Sequence, residues 1–549
     1  MKRSYLFLCM LLLSSGVAFA QGEIDAYRLS QTELNGTARY MGMGGAFGAL
    51  GGDISVMSAN PAGLGVYRSS EVVTTLNLSM INAQSNWNGS KIDNDKTKFD
   101  FGNIAYVGYV PTGKDEGIIG WNFGFSYNRI KNFNRNYRMS GTQGASLADY
   151  VASRASNAFQ DANGYYGIPE GQLILTDNYD PYFNKASVGG ESVWLPWLPI
   201  LGYEGGYFGT QYGRDDVYHS GFGERTNGVW NTFSPNLSTL DVRERGAIDD
   251  YTFSLATNVS NFLFLGASFI VTDVDYSVST VYDEDFPQSD HLYLDNHLST
   301  DGTGYSFDLG AIVSPTDFLR LGVAYNSPKW YKLNDYYYAE AGTYIHSWEK
   351  PKFDANTPDD ADTYTPYRLR TPDKWIFSAA GIIGTQALIS VDYEIQNYKN
   401  MNLSNREGSD YADNDFIDQD FGMAHAIRVG AEYKPTPQFA VRAGGVWQTS
   451  PMKSDFKNGN VEVMTAGTIP NYTLDAGTIS TYSVGLGYRF TPNFYMDLTC
   501  IYRTQKENAY AFSSTFYEDA ASHIAPVESV PASLKTNTTR LALTLGYKF

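Results

Sequence analysis

The chain has 549 residues, a formal net charge of -19 and two cysteines, Cys9 and Cys500. That acidic balance excludes a nucleic-acid-binding face, which has to be basic, and the cysteine count excludes zinc ribbons and iron–sulfur clusters. Mean hydropathy is -0.32, and past the first residues no stretch approaches the roughly 18 continuous apolar residues of a spanning helix, yet a barrel stays possible because only alternate residues of its strands face lipid.

The chain opens on Lys2 and Arg3, a short apolar run from Tyr5 to Leu13, and Ala18-Phe19-Ala20. This is the order of a cleaved secretory signal peptide, residues 1–20, with Gln21 as the expected mature N-terminus. Cys9 is no lipoprotein acceptor, because Leu8 precedes it. Cleavage leaves Cys500 alone, so no intramolecular disulfide and no cysteine-built metal site is expected.

Residues 21–70 do not read as strands. Arg39 to Gly52, RYMGMGGAFGALGG, is too rich in glycine for a stable helix or regular strand, and Asp53 to Gly65 ends on the turn signal Asn60-Pro61-Ala62-Gly63. A linker would be more polar. Small residues suit a plug whose backbone lies close to a lumen wall, and Gly42, Gly44, Gly45, Asn60, Pro61 and Ala62 are its candidate gating residues.

From Glu71 onward the pattern is period-2 alternation. Trp121, Phe123, Phe125 and Tyr127 oppose Asn122, Gly124, Ser126 and Asn128; Tyr482 to Phe490 and Leu541 to Phe549 repeat the rhythm. Short turns near 111–116, 260–261, 314–317, 384–385, 434–438 and 491–493 alternate with long polar stretches at 82–98, 131–246, 277–300, 331–370, 400–420, 451–478 and 508–535. Short periplasmic turns and long extracellular loops are the arrangement of an outer-membrane barrel. The predicted fold is therefore all-β: an antiparallel barrel of about 14 strands over 71–549, with the hatch in its lumen and both termini periplasmic. Aromatic residues make up 15% of the chain and suit the two bilayer interfaces. The terminal Phe549 resembles the signal read by the outer-membrane barrel-insertion machinery, an expected partner beside outer-membrane lipid and lipopolysaccharide.

Within the 131–246 loop, Val193 to Leu201 (VWLPWLPIL) is apolar, and its prolines argue against a regular helix or strand. Trp194, Leu195, Trp197 and Leu198 are candidates for ligand capture, or for a mini-core that holds the loop together. Arg428, Arg442 and Arg489 alternate with lipid-facing residues and should line the lumen, paired with acidic groups such as Glu432, Asp392 or Asp497. The six histidines form no catalytic or metal motif, so neither enzyme activity nor a metal or cofactor is expected.

Gly36-Thr37-Ala38-Arg39, Gly42, Gly44-Gly45-Ala46 and Asn60-Pro61-Ala62, with Gly444 to Met452 (GGVWQTSPM) and the strand pair Thr481 to Arg503, resemble the FadL/TodX outer-membrane transporters. The layout is similar to the larger form found in Bacteroidetes-type bacteria. The resemblance implies a 14-stranded barrel filled by an N-terminal hatch, and a hydrophobic small-molecule ligand: a long-chain fatty acid or aromatic hydrocarbon. It implies capture by loops, an apolar pocket, and passive exit through the wall beside a kinked third strand, here near Gly120 and Gly124. A general porin, a haem receptor and an outer-membrane hydrolase are the alternatives.

Overall fold

The computed structural model describes residues 22–142, 144–161, 164–174, 185–211, 214–346, 352–357, 365–463, 465, 467–516 and 526–549. The signal-peptide reading of 1–20 lies outside them. Among the described residues no helix is long and apolar enough to cross a membrane.

Fourteen antiparallel strands close a ring. In chain order they are β1 (Glu71–Trp87), β2 (Ser90–Pro111), β3 (Ile118–Asn132), β4 (Leu237–Val259), β5 (Leu263–Asp285), β6 (His291–Thr316) and β7 (Leu319–Asn326). The second half comprises β8 (Lys374–Ile383), β9 (Ala387–Asn397), β10 (Met423–Tyr433), β11 (Phe439–Gln448), β12 (Ile479–Arg489), β13 (Phe494–Tyr510) and β14 (Ala532–Lys548). Each pairs with its neighbour in sequence, and β14 pairs with β1 from Glu71 opposite Lys548 to Asn86 opposite Ser533. Closure leaves no edge strand in the ring. Alternation builds the two surfaces: on β12, Tyr482, Val484, Leu486 and Tyr488 are exposed, while Ser483 and Gly485 turn inward against the N-terminal segment.

Several expected loops change. The polar stretches 82–98 and 277–300 are not loops. β1 and β2 run on to a two-residue turn at Asn88-Gly89, both with positive φ (48° and 91°), the geometry of a tight hairpin. β5 and β6 likewise continue to a short turn at Phe286–Asp290. Above the lipid both strand faces meet water or protein, so the apolar alternation stops although the ladder does not. For the same reason the 131–246 segment gives its ends to β3 and β4, Asn136–Gly141 pairs along β4 with Ser238 to Arg243, and the insertion outside the sheet is 142–236.

The N-terminal segment runs the length of the ring. Helix α1 (Glu23–Ser30) is buried at the long-connection end, where Tyr27 packs on Tyr398 and Phe421 and its hydroxyl bonds Asp475. The chain then passes α2 (Ala38–Gly42) and two 3-10 turns (Ile54–Ser58 and Pro61–Val66) to reach β1 at the short-turn end. There the amide of Phe549 bonds the carbonyl of Ser70. Both termini were expected on one side; instead α1 and the C-terminus lie at opposite ends of the barrel.

The insertion and the other long connections form a cap. It contains α3 (Leu147–Ser156), α4 (Trp197–Glu204) and α5 (Asn414–Asp420), and one apolar core joins α1 to Trp197, Tyr207, Phe222, Leu292, Phe421 and Phe512. Contrary to the sequence reading, the proline-rich run does form a helix. Pro196 is the N-cap of α4 and Pro199 falls in its first turn, where no backbone N–H partner is needed.

Candidate functional site

The N-terminal segment is seated by backbone-to-backbone approach. A Cβ at Gly444 would collide with the Gly44 amide, at Gly322 with the Gly48 carbonyl, at Gly266 with Pro61, and at Gly310 with the Asn60 side chain. Gly44 (φ +63°) and Gly45 (φ +71°) hold the left-handed conformation of a tight turn. Gly42 packs beside Thr499, whose hydroxyl donates to the Ala38 carbonyl at 2.6 Å, and the Ala38 amide donates to Thr544 at 2.7 Å. Asn60, fully buried, donates to the Gly48 carbonyl at 2.6 Å and accepts from the Ala62 amide at 3.1 Å, which caps the turn begun by Pro61.

Ion pairs fasten the same segment. Glu432 accepts from Arg39 at 3.0 Å and from Arg442 at 2.6 Å, and Arg442 reaches Asp497 at 2.6 Å. Arg540 bonds Glu33 at 3.0 Å and Asn35 at 2.6 Å. Burial raises the Glu33 pKa, but Arg540 and Arg503 pull it below its ordinary value. Arg428 pairs with Glu394 at 2.8 Å, one inward position beyond the expected Asp392, whose carboxylate instead accepts from the Gly48 amide at 3.0 Å. Arg489 is exposed at the short-turn end and lines a polar cavity of about 250 Å³ with Arg39, Asp53, Glu71 and Lys548.

Two cavities lie between the segment and the inner face of the barrel wall. One, of about 150 Å³, mixes Leu34, Ile130, Ile270 and Tyr331 with Asp250, Asp308, Lys329 and Glu394. The other, of about 110 Å³, reaches Lys131 to Arg135. Glu33 and Arg503 stand in the walls of both. Arg503 donates to Gln505 at 2.8 Å and forms no ion pair among the described residues. The lumen therefore offers an amphipathic path, not the purely apolar pocket expected for hydrophobic cargo. Inward strand positions must satisfy both the polar backbone of the segment and buried charge, so charged groups enter the cavity wall.

Gly120 and Gly124 lie where β3 is hydrogen-bonded on both sides, to β2 from Gly120 to Asn128 and to β4 alongside. A Cβ at Gly124 would meet Met57 Sδ at 2.5 Å and Leu64 at 3.0 Å, so that glycine makes room for the N-terminal segment. The β2–β3 ladder ends higher, at the Asn103–Asn128 pair. Beyond it Phe133 and Arg135 turn inward, and Arg135 pairs with Glu244 at 2.8 Å and with Glu507. No ladder pairs across the resulting seam among the described residues; it is bridged through side chains, as Asn132 donates to Asp100 at 3.3 Å and the Arg138 amide donates to Asn94 at 2.8 Å. Sequence reasoning missed it; the one signal was the loss of alternation after Asn132.

Of the capture candidates, Leu195 and Trp197 are buried in the cap core, Leu198 is half-buried against it, and the side chain of Trp194 lies outside the described residues.

The family described as outer membrane protein transport protein (OMPP1/FadL/TodX) matches residues 254–549, more than half of the chain. A Pseudomonas aeruginosa FadL homologue aligns over 94% of this chain and 99% of its own at 14% identity, with a TM-score of 0.51. The deltaS2 mutant of the TodX monoaromatic hydrocarbon channel aligns over 94% and 100% at 13% identity and 0.50, and the P. putida toluene transporter TodX over 94% and 99% at 12% and 0.47. At these identities the likeness concerns the fold. No curated protein matches the sequence.

Proposed function

Because the chain belongs to the FadL/TodX family of outer membrane transport proteins, we propose that it carries amphiphiles with an apolar body and an anionic end, of the long-chain fatty acid kind. The observation that carries this reading is Arg503, a cation without a carboxylate partner among the described residues, in the common wall of two half-apolar cavities. A carboxylate there gains a charge-assisted bond, while each methylene buried against Leu34, Ile130 or Ile270 contributes about 0.8 kcal/mol. An aromatic hydrocarbon would leave Arg503 with only the longer-range charge of Glu33.

Ligand pockets usually run to roughly 300–1,000 Å³, larger than either cavity. Cargo therefore has to displace something, and the N-terminal segment serves as the hatch. The cap admits the ligand, the cavities hold it, and the seam between β2 and β3 releases it sideways by passive diffusion. A general porin fits poorly, since the segment is tied to the wall around the ring by the bonds of Ala38 to Thr544, of Gly48 to Asp392, and of Asn60 to the carbonyls of Ala311 and Val323.

The test is binding of a fluorescent polyene fatty acid and of its methyl ester to purified protein. Arg503→Gln weakens binding of the acid about tenfold, the value of one hydrogen bond to a charged group, and leaves the ester unchanged. Equal loss for acid and ester, or none for either, overturns the assignment of the anionic end. A wild-type protein that binds neither overturns the cargo class.

A further inference from the structure

The cavity of about 150 Å³ has a second polar end. Arg503 lines it from β13, and Ser306 and Asp308 of β6 and Asn326 of β7 line the same space. β6 and β13 stand on opposite walls, seven strands apart in either direction round the ring. The three side chains form one patch. Asp308 lies directly across from Asn326 in the β6–β7 register, and Ser306 is two positions along β6 on the same face, about 7 Å away. All are buried, with exposures of 2% for Ser306, 3% for Asp308 and 7% for Asn326.

The oxygens of this patch are unmatched. The Asn326 amide NH2 faces the Asp308 carboxyl and the Ala59 carbonyl, the latter at 3.5 Å, while its Oδ1 and the Ser306 Oγ have no hydrogen-bond partner among the described residues. Two lysines are near. Lys329 is claimed by Asp250 at 2.7 Å and Lys374 by Glu394 at 3.7 Å, so Asp308 has only their longer-range charge. Buried polar groups are as a rule hydrogen-bonded, so unmatched ones lining a cavity mark what it receives. A hydroxyl is donor and acceptor in one atom: it can donate to Asp308 or Asn326 and accept from Ser306. A carbonyl or ether has no proton to give the two acceptors, and an ammonium would add a third positive charge beside Lys329 and Lys374. Ile270, Ile376 and Val446 line the same cavity, so the hydroxyl belongs to an otherwise apolar body.

We infer that Ser306, Asp308 and Asn326 form a binding site for a hydroxyl group, and that the cargo is a chain with a hydroxyl far from its anionic end. The anionic end rests on the reading of Arg503 above; the hydroxyl site does not depend on it. Fourteen strands about 4.8 Å apart and tilted by about 40° make a ring roughly 28 Å across. A chain that meets both walls therefore carries its two polar groups at its two ends, and a hydroxyl next to the carboxylate would not reach β6.

Equilibrium binding of radiolabelled palmitic acid, ω-hydroxypalmitic acid and the methyl ester of each to the purified protein tests this. The hydroxyl form binds about tenfold tighter than the plain form, in the acid pair and in the ester pair alike, as one hydrogen bond to a carboxylate gives. Asp308→Leu, close to isosteric, brings that ratio to about one, and Ser306→Ala lowers it to about threefold. Should Asp308→Leu fail to fold, as read by heat-modifiable migration, the ratio in Ser306→Ala decides. Equal affinity of hydroxyl and plain forms, or a tenfold ratio kept in the folded variants, overturns the site. An ω-amino chain that binds tighter than the hydroxyl chain marks a cation site and overturns the hydroxyl assignment. The ester pair reads the hydroxyl without Arg503. A hydroxyl preference with none for acid over ester upholds this site and refutes the anionic end, and the converse pattern does the reverse. A protein that binds none of the four overturns both.

Discussion

If the N-terminal segment is a hatch, loosening it should open the barrel without unmaking it, and Asn60 is the residue to change. Its side chain is fully buried and joins three elements: it donates to Gly48 in the middle of the segment, caps the Pro61 turn through the Ala62 amide, and presses against Gly310 on the wall. Asn60→Ala removes an N-cap bond, about 1 kcal/mol, and leaves the Gly48 carbonyl unanswered, about 1–3 kcal/mol more. The sum, about 3 kcal/mol, multiplies the population of the undocked segment roughly a hundredfold. No strand-to-strand hydrogen bond is touched, so the barrel should insert normally and keep its heat-modifiable migration on gels.

Planar-bilayer conductance and hydrogen exchange over 38–66 read the two consequences. The variant should show brief openings that the native protein lacks, and protection in that segment should fall while the strands stay protected. A variant with native exchange over 38–66 and no openings would refute the idea that Asn60 fastens a movable element. Openings accompanied by strand exchange would mean that the residue holds the barrel itself.

Glu432→Ala strips Arg442, itself buried, of one of its two carboxylates and Arg39 of its own, and should cost about 3–5 kcal/mol in chemical denaturation; Arg39→Ala should loosen the segment alone. Trp197→Ala empties the centre of the cap core and should cost it about 3–5 kcal/mol, seen as faster proteolysis within 142–236 while the strands resist. Burial pushes Asp413 up to about 7 in the loop between β9 and β10, far above the unfolded value near 3.9. The folded loop thus binds the extra proton between those values, and its stability should fall as pH rises from about 4 to 7. Exchange at 398–421, corrected for intrinsic rates, should be faster at pH 8 than at pH 5, and Asp413→Asn should flatten the difference.

What could be read from the sequence followed the solvent. Inside the lipid belt each strand has one apolar face, so Tyr482 to Phe490 and Trp121 to Tyr127 announced themselves, and the alternating arginines marked the inward side. The choice of acid did not: Arg442 meets the anticipated Glu432 and Asp497, but Arg428, directly opposite Asp392, reaches diagonally to Glu394 two positions along the same face. Above the belt the solvent no longer sorts residues, which is why 82–98 read as loop although its ladder is unbroken. The glycines of the segment were visible as a cluster, whereas their counterparts Gly266, Gly310, Gly322 and Gly444 looked like any strand glycine until the segment lay against them. The seam was hidden for a related reason. Asn132 to Arg135 leave the ladder to satisfy groups inside the cap and lumen, Glu244 and Glu507 among them, and partners that distant in the chain leave no local pattern. The residues that seat the segment are therefore half-written in the sequence, as the small side of each contact, while the break between β2 and β3 has to be found by following the hydrogen bonds of the wall.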